Sequence, residues 1–274
     1  MKTSRFFFFL IHSNIYLAVG ASSLVLMTML MLNVRLRWEP MFIAFCGTFF
    51  LYTLNRKTDT NEDTINYPER ITFLNENGKM IFYLSMVLFF FSLVLASLNG
   101  PVTFVLGLTP FLLCLFYGVF RFKRIFFFKD LMVSSGWAII AFLAASYYSD
   151  FSLVSFLVFT FIFLRVTITT IVFDIKDVQG DRIYGIKTIP ETYGLDKTKQ
   201  VLYLTNTICA VFLLLITLSG IHSLFYILFV DVFYCYYYLS RIGKMDIKYL
   251  CDVLADGEYV LIGFLSILLL LLSR

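Results

Sequence analysis

Two stretches of the chain place aspartates at helical spacing directly after apolar segments. The first stretch contains Asn55, Asp59 and Asp63, and the second contains Asp174, Asp177 and Asp181. Side chains spaced i, i+4, i+8 or i, i+3, i+7 lie on one face of a helix. A helix C-terminus carries partial negative charge, so each carboxylate placed there costs roughly 0.3–1 kcal/mol. Two such unfavourable groups indicate a missing positive partner, and a divalent cation is the natural one.

Basic residues beside both groups indicate that the cation binds together with a polyphosphate. They are Arg56 and Arg70 at the first group, Lys176, Arg182 and Lys187 at the second, and Arg121, Lys123 and Arg124 in a third charged stretch. Carboxylates without nearby Cys or His suit Mg²⁺, which commonly binds together with substrate phosphates. The chain has only two His, and its five Cys show no CxxC spacing. We therefore favour a Mg²⁺-bridged polyphosphate site over the alternative that both stretches are solvated loops.

The remainder of the chain is apolar enough to lie in a membrane. Of the 274 residues, 60% are hydrophobic and 15% are charged, and the mean hydropathy is +0.85. Apolar runs of about 20 residues span a bilayer, and only helices or closed barrels can do so. We predict an all-α polytopic membrane protein, a single transmembrane domain over residues 1–274. Its nine predicted spans cover residues 9–33, 40–55, 79–98, 101–119, 130–148, 152–174, 199–218, 221–240 and 254–272.

The distribution of positive charge predicts the orientation of these spans. The N-terminus and the loops after spans 2, 4, 6 and 8 fall on one side of the membrane. Of the 22 Lys and Arg residues, only Arg35, Arg37 and Arg274 fall on the other side, and Arg165 lies within span 6. Basic loops are cytoplasmic in membrane proteins. We therefore expect a cytoplasmic N-terminus, and both aspartate groups should open on the cytoplasmic face, where they can meet.

The residues around both groups resemble the motifs of a known family. Asn55-x3-Asp59-x3-Asp63, followed by Asn66-x-Pro68-x-Arg70, is similar to the first aspartate-rich motif of the UbiA superfamily of intramembrane prenyltransferases, here at residues 55–70. DIKDVQGDRIYGIKTIP, at residues 174–190, is similar to its second motif. YGVFRFKRIFFFKDLMVSSGWAI, at residues 117–139, resembles the region that follows the family's fourth helix. The resemblance thus covers predicted spans 2 to 6 in order.

The resemblance implies a fold, a reaction and a set of partners. The fold would be a helical barrel around a lipid-accessible cavity, capped by cytoplasmic loops. The reaction would be Mg²⁺-dependent transfer of a prenyl group from an isoprenyl diphosphate donor to an aromatic or lipid acceptor, with release of diphosphate. Two departures leave the acceptor open: Arg56 stands where the family commonly has Asp, and residues 71–74 differ from many members. We expect the protein to contact membrane lipid, with neither nucleic acid nor an obligate protein partner. In a prokaryote the membrane would be the plasma membrane.

The motif positions assign provisional roles to individual side chains. We expect Asp59, Asp63, Asp174 and Asp177 to be catalytic as Mg²⁺ ligands, with Asp181 as a further ligand. The expected diphosphate-binding residues are Asn55, Arg70, Lys123, Arg124, Arg182 and Lys187. Tyr117 is the one aromatic residue whose motif position favours a place beside the prenyl cation.

Ionisable residues within predicted spans are functional candidates because they are costly there. Arg165 lies about 13 Å deeper than Asp174, given a helical rise of about 1.5 Å per residue, and could reach an acceptor. The alternative is that Arg165, Asp231, Asp256 and Glu258 face the bundle interior and pair with polar neighbours.

Three other functions are alternatives to prenyl transfer. A UbiA-type cyclase would consume the donor without an acceptor, and a cation or lipid carrier would release no diphosphate. A lipid-alcohol phosphotransferase would require a pattern with both Asp-Gly and Ala-Arg pairs between its acids, and that pattern does not occur in the sequence.

Overall fold

A computed structural model describes residues 5–58, 67–119, 126–221 and 223–272 of the chain. Within these residues the regular structure is helical and no β-strand occurs. The helices are α1 (Arg5–His12), α2 (Ile15–Met31), α3 (Trp38–Thr58), α4 (Pro68–Asn99), α5 (Pro101–Val119), α6 (Phe128–Ser146), α7 (Leu153–Tyr184), α8 (Ile189–Leu218), a 3₁₀ helix (Ser223–Leu228), α9 (Phe229–Leu239), α10 (Ile247–Tyr249), a π-helix (Leu250–Ala255) and α11 (Gly257–Leu272). The predicted all-α class is confirmed.

Fewer helices among the described residues pass the length and hydropathy criteria for a membrane span than the nine spans predicted from the sequence. Among the described residues, α4, α6, α7, α8 and the continuous segment Ile247–Leu271 are long and apolar enough to cross a membrane. The bent pair α1 and α2 could form a sixth span, whereas the apolar segments Pro101–Leu113 and Leu224–Leu239 are shorter. Length and composition therefore support a membrane protein without confirming nine spans.

The first predicted span is divided into two helices. α1 and α2 meet at an angle of 70°, where the sequence analysis expected one helix over residues 9–33. Asn14 sits at the break with φ 64°, a left-handed conformation that Asn tolerates better than most residues. The break turns α1 away from the axis of α2 and places Ile11 and Asn14 against a central cavity.

Several helices extend beyond the membrane boundaries predicted from hydrophobicity. α4 begins at Pro68 rather than residue 79, with Pro in the first turn, where its missing N–H costs no helical hydrogen bond. α7 continues to Tyr184 and ends at Gly185, whose φ of 69° suits a helix C-cap. The predicted helical arrangement of Asp174, Asp177 and Asp181 is therefore confirmed. α8 is kinked at Gly194, whose φ of 77° is not helical.

The helices form a closed ring. Each long helix packs on the next along the chain, and α11 packs on both α9 and α2. Glycines allow α2 and α11 to approach closely: a Cβ on Gly20 would lie 2.8 Å from Cβ of Tyr259, and a Cβ on Gly263 would overlap Ser23. The ring is therefore sealed at the junction between its first and last long helices.

The outer surface of the ring is apolar. On α4, Phe90, Val94 and Leu98 are 58%, 55% and 78% exposed and follow one another at a spacing of four residues. Contiguous exposed apolar surface of this kind marks contact with a membrane or another protein. Together with the candidate spans, it identifies an integral membrane protein whose helices enclose a cavity.

Candidate active site

A cavity of about 260 Å³ lies inside the ring and differs in character between its two ends. Side chains from the helix ends predicted to be cytoplasmic form a polar end: Asn14, Asn55, Arg56, Arg70, Lys129, Asp174, Asp177, Asp252 and Asp256. The opposite end is lined by apolar residues such as Ile43, Leu106, Ile140 and Val166. A ligand with a charged head and an apolar tail would match this division.

α7 brings two of its three predicted ligands to the cavity. Asp174 is fully buried, and its Oδ1 accepts a hydrogen bond of 2.6 Å from Nζ of Lys129. Its Oδ2 is buried without a hydrogen-bond partner among the described residues. Asp177 is half-buried and also lines the cavity. Asp181 is outside the cavity lining, and its Oδ2 lies 3.6 Å from Nζ of Lys129.

The other predicted residues fall into three groups. Asn55 and Arg70 line the polar end, as expected of groups that contact a diphosphate. Arg182 and Lys187 are exposed and lie outside the cavity lining, and Nε of Arg182 is 3.7 Å from Glu191 Oε1. Asp59, Asp63, Lys123, Arg124 and the side chain of Tyr117 lie outside the described residues.

Asp252 is the centre of a charged cluster that the sequence analysis did not identify. Its Oδ1 accepts hydrogen bonds from the Tyr67 hydroxyl at 3.2 Å and from Nζ of Lys176 at 3.3 Å. The guanidinium of Arg70 lies 4.0 Å from the same oxygen. The ring of Tyr67 also faces the Arg70 and Lys176 cations, at 3.9 and 4.2 Å from its centroid. This cluster holds Arg70 at the edge of the cavity.

The π-helix before α11 presents Asp252 and Asp256 to the cavity. The N–H of Asp256 bonds to the carbonyl of Cys251, five residues earlier, as in a π-helix. Hydroxyls of Tyr16 and Tyr234 donate to the carbonyls of Val253 and Leu254, at 3.4 and 3.0 Å. Side chains thus support a helix segment of a rare type, which is often found at functional sites.

Three aromatic residues that contact one another, Tyr52, Trp137 and Tyr259, form an aromatic wall of the cavity. Trp137 Nε1 donates to the Tyr52 hydroxyl at 2.9 Å, and the Trp137 ring stacks on Tyr259 with centroids 5.0 Å apart. The Tyr259 hydroxyl in turn lies 2.9 Å from Oγ1 of Thr169. With 33 Phe and 17 Tyr in the chain, aromatic content alone could not have selected these three rings.

Arg165 does not line the cavity and pairs instead within the bundle. The side chain is 1% exposed, and its Nε lies 2.8 Å from Asp231 Oδ2. Its guanidinium also bonds to Glu258 at 2.7 Å and to Asn206 at 2.5 Å. Of the two alternatives in the sequence analysis, the buried structural pairing is the one observed, which argues against a direct contact between Arg165 and an acceptor.

The donor atoms at the polar end fit Mg²⁺ in chemical type. Asp174 and Asp177 supply carboxylate oxygens, and the buried Oδ2 of Asp174 has no other partner in the described part of the chain. The described residues do not by themselves contain a group of three or more acidic, His or Cys side chains arranged for a metal. The two remaining predicted ligands, Asp59 and Asp63, belong to the segment outside those residues.

Comparison with known proteins gives consistent matches. The model of the UbiA prenyltransferase family matches residues 8–249. A digeranylgeranylglyceryl phosphate synthase of Saccharolobus solfataricus is 26% identical over 203 residues, which is 72% of this chain and 71% of that protein.

Solved structures show the same architecture at low sequence identity. The apo structure of a UbiA homolog from Aeropyrum pernix K1 superposes with a TM-score of 0.71 at 15% identity, covering 93% of this chain and 98% of that one. A UbiA homolog from Archaeoglobus fulgidus bound to GPP and Mg²⁺ gives a TM-score of 0.66 at 14% identity, covering 94% and 99%. With a family model that matches most of the chain, these similarities show that the protein belongs to the UbiA prenyltransferase family.

Proposed function

We propose that the protein transfers a prenyl group from an isoprenyl diphosphate to an acceptor within the membrane, in a Mg²⁺-dependent reaction that releases diphosphate. The observation that carries the proposal is the cavity, with carboxylates and cations at one end and an apolar, aromatic interior. The Archaeoglobus fulgidus homolog bound to GPP and Mg²⁺ supports the same pairing of ligands.

The polar end would bind the diphosphate and its metal. Asp59, Asp63, Asp174 and Asp177 would hold Mg²⁺, with Asp181 as a further ligand, and the metal would neutralise the charge that develops on the departing diphosphate. Asn55, Arg70, Lys123 and Arg124 would bind phosphate oxygens. Arg182 and Lys187 remain in the proposal, although reaching a ligand in the cavity would require them to leave their exposed positions.

Arg70 is suited to binding the diphosphate because the position of its side chain is fixed before substrate binds. Asp252 and Tyr67 hold its guanidinium from two directions, so little side-chain entropy is lost when a phosphate arrives. Cations fixed in a site that excludes water stabilise a leaving anion more strongly than mobile surface cations do.

The aromatic wall would stabilise the prenyl cation, which forms when the donor loses its diphosphate. Ring faces attract positive charge, and Tyr52, Trp137 and Tyr259 line the cavity next to its polar end. Tyr117 is proposed to join them from its motif position. A wall of rings stabilises an allylic cation without offering a nucleophile as strong as water.

The acceptor class and the orientation belong to the same proposal. The Saccharolobus solfataricus relative is named for a glyceryl phosphate product, which favours a lipid acceptor over an aromatic one. The polar end of the cavity is built from helix ends that charge distribution assigns to the cytoplasm, so both substrate head groups would enter from that side.

A product assay tests the proposal. Purified protein with Mg²⁺ is incubated with prenyl diphosphates of increasing length and with phenolic, naphthoate or glyceryl-phosphate acceptors, and products and diphosphate are measured by mass spectrometry. We expect one acceptor class to give a prenylated product with equimolar diphosphate. Donor consumption without acceptor would indicate a cyclase, and absence of diphosphate release with every donor would contradict an enzymatic role.

A further inference from the structure

Four carboxylates among the described residues line the cavity, and three of them already have a role there. Asp174 bonds to Lys129, Asp177 lies on the metal-binding face of α7, and Asp252 holds Tyr67, Arg70 and Lys176. Asp256 is the fourth, and its carboxylate makes no hydrogen bond or ion pair with any described residue. Asp256 is thus a half-buried acid that lines the cavity without a partner among the described residues.

The backbone around Asp256 is built to hold this side chain at the cavity. Asp256 ends the π-helix, and the Tyr16 and Tyr234 hydroxyls bond to the two carbonyls that lie two and three residues before it. Gly257 follows, and a Cβ there would lie 2.8 Å from the Tyr16 hydroxyl. A β-carbon at residue 257 would therefore displace one of these supports.

The charges that face Asp256 come from four elements. Asp252 is the like charge on its own segment, and cations are supplied by Arg56 of α3, Arg70 of α4 and Lys176 of α7. The hydroxyl of Tyr16, from α2, also lies within the range of its charge. Three cations and one like charge therefore surround the carboxylate of Asp256.

Prenyl transfer releases a proton from the acceptor, and a basic group in the cavity can accept it. The C–O bond to diphosphate breaks with its electron pair leaving on oxygen, and the acceptor supplies the pair for the new bond to the prenyl carbon. The acceptor's O–H or C–H bond then gives up its proton. The reaction is balanced when one carboxylate takes this proton, and neither a metal-bound nor an ion-paired aspartate is free to do so.

We propose that Asp256 is the general base that removes the proton from the acceptor. This inference rests on the proposed function and adds the residue that completes its chemistry. It places the acceptor's reacting atom in the cavity beside the π-helix.

The test compares Asp256→Asn with the wild-type protein in the product assay, using the acceptor class that the wild type prenylates. We expect the kcat of transfer to fall about 100-fold, within the usual range for loss of a general base, with the donor KM changed less than about threefold. Wild-type kcat should also decrease at low pH, as the base becomes protonated, whereas the residual rate of the variant should not. Asp196→Asn, which changes an exposed aspartate of α8, is the matched control and should behave as wild type.

The possible outcomes separate this inference from the proposed function. A wild-type protein that forms no product contradicts the proposed function itself. The assignment of Asp256 as the general base is contradicted if the wild type is active and Asp256→Asn retains more than a tenth of its kcat. It is also contradicted if the variant keeps the low-pH decrease. Neither result contradicts the proposed function. A variant whose donor KM rises in step with the loss of kcat assigns Asp256 to diphosphate binding instead. Asp256→Ser is measured against the same criteria if the asparagine variant aggregates.

Discussion

Of the predicted metal ligands that the structure describes, Asp177 is the one whose replacement should disturb the fold least. It is half-buried, lines the cavity and makes no hydrogen bond or ion pair within the described residues. We expect Asp177→Asn to lower Mg²⁺-dependent transfer at least about 100-fold, because a neutral amide neither ligates Mg²⁺ as well nor balances its charge. Thermal unfolding in detergent should be unchanged, and raising the Mg²⁺ concentration should recover part of the lost rate.

Asp174 provides the contrast for this experiment. Asp174→Asn should also abolish transfer, but it removes the carboxylate that bonds to Lys129 and should therefore lower the unfolding temperature as well. Near-wild-type transfer by Asp177→Asn, at limiting Mg²⁺, would contradict the assignment of Asp177 as a ligand.

At the level of residues, sequence spacing identified the part of the site that lies on one helix. Asp174 and Asp177 could be predicted because three residues of separation place side chains on the same face of α7. Lys129, Asp252 and Asp256 come from other helices, and no local spacing connects them to α7. The sequence predicts Asp256 only as one of several ionisable residues within spans, and the meeting of all three residues at one cavity depends on the closure of the ring.

Arg165 joins four helices through one buried guanidinium. From α7 it contacts Asn206 of α8, Asp231 of α9 and Glu258 of α11. We expect Arg165→Met to cost about 3–5 kcal/mol in the free energy of unfolding, because two buried carboxylates lose their cation. The measurement is a denaturant titration in mixed micelles, followed by the product assay on the protein that stays folded.

Two controls show whether this cost comes from buried charge. The triple variant Arg165→Met, Asp231→Asn, Glu258→Gln should be more stable than Arg165→Met alone, since it leaves no unpaired buried charge. Glu191→Gln, which breaks the exposed pair with Arg182, should cost less than about 1 kcal/mol. A single variant as stable as wild type would show that the network does not hold the helices together.

At the level of helices, hydrophobicity predicted the membrane-embedded parts better than the helix ends. The pattern located α5 and the apolar part of α7 closely, but it could not detect the polar extensions of α4 and α7. It also missed the break at Asn14, because an apolar run gives no sign of a single left-handed residue. The π-helix was not predicted either, because it is recognised by its hydrogen bonds and not by its residue types.

For the whole molecule, the two-sided distribution of charge is the feature that connects fold and function. The polar ends of α3, α4, α6 and α7 meet at one end of the cavity, as expected from the placement of the loops after spans 2, 4 and 6 on one side of the membrane. Sequence reasoning succeeded here because basic loops and apolar spans are properties of many residues together. The exact number of spans depends on a few short helices and could not be settled in the same way.

The orientation of the molecule can be tested with a matched pair of cysteine substitutions. Asp150 lies between α6 and α7, on the side predicted to be outside, and Asp196 lies on α8, on the side predicted to be cytoplasmic. In intact cells we expect a membrane-impermeant maleimide to label Asp150→Cys, and to label Asp196→Cys only after permeabilisation, because positive loops stay in the cytoplasm. The wild-type protein gives the background, since the four native cysteines with described side chains are buried. Labelling in the opposite order would invert the proposed orientation, and equal labelling of both positions would contradict the alternation of loops on which it is based.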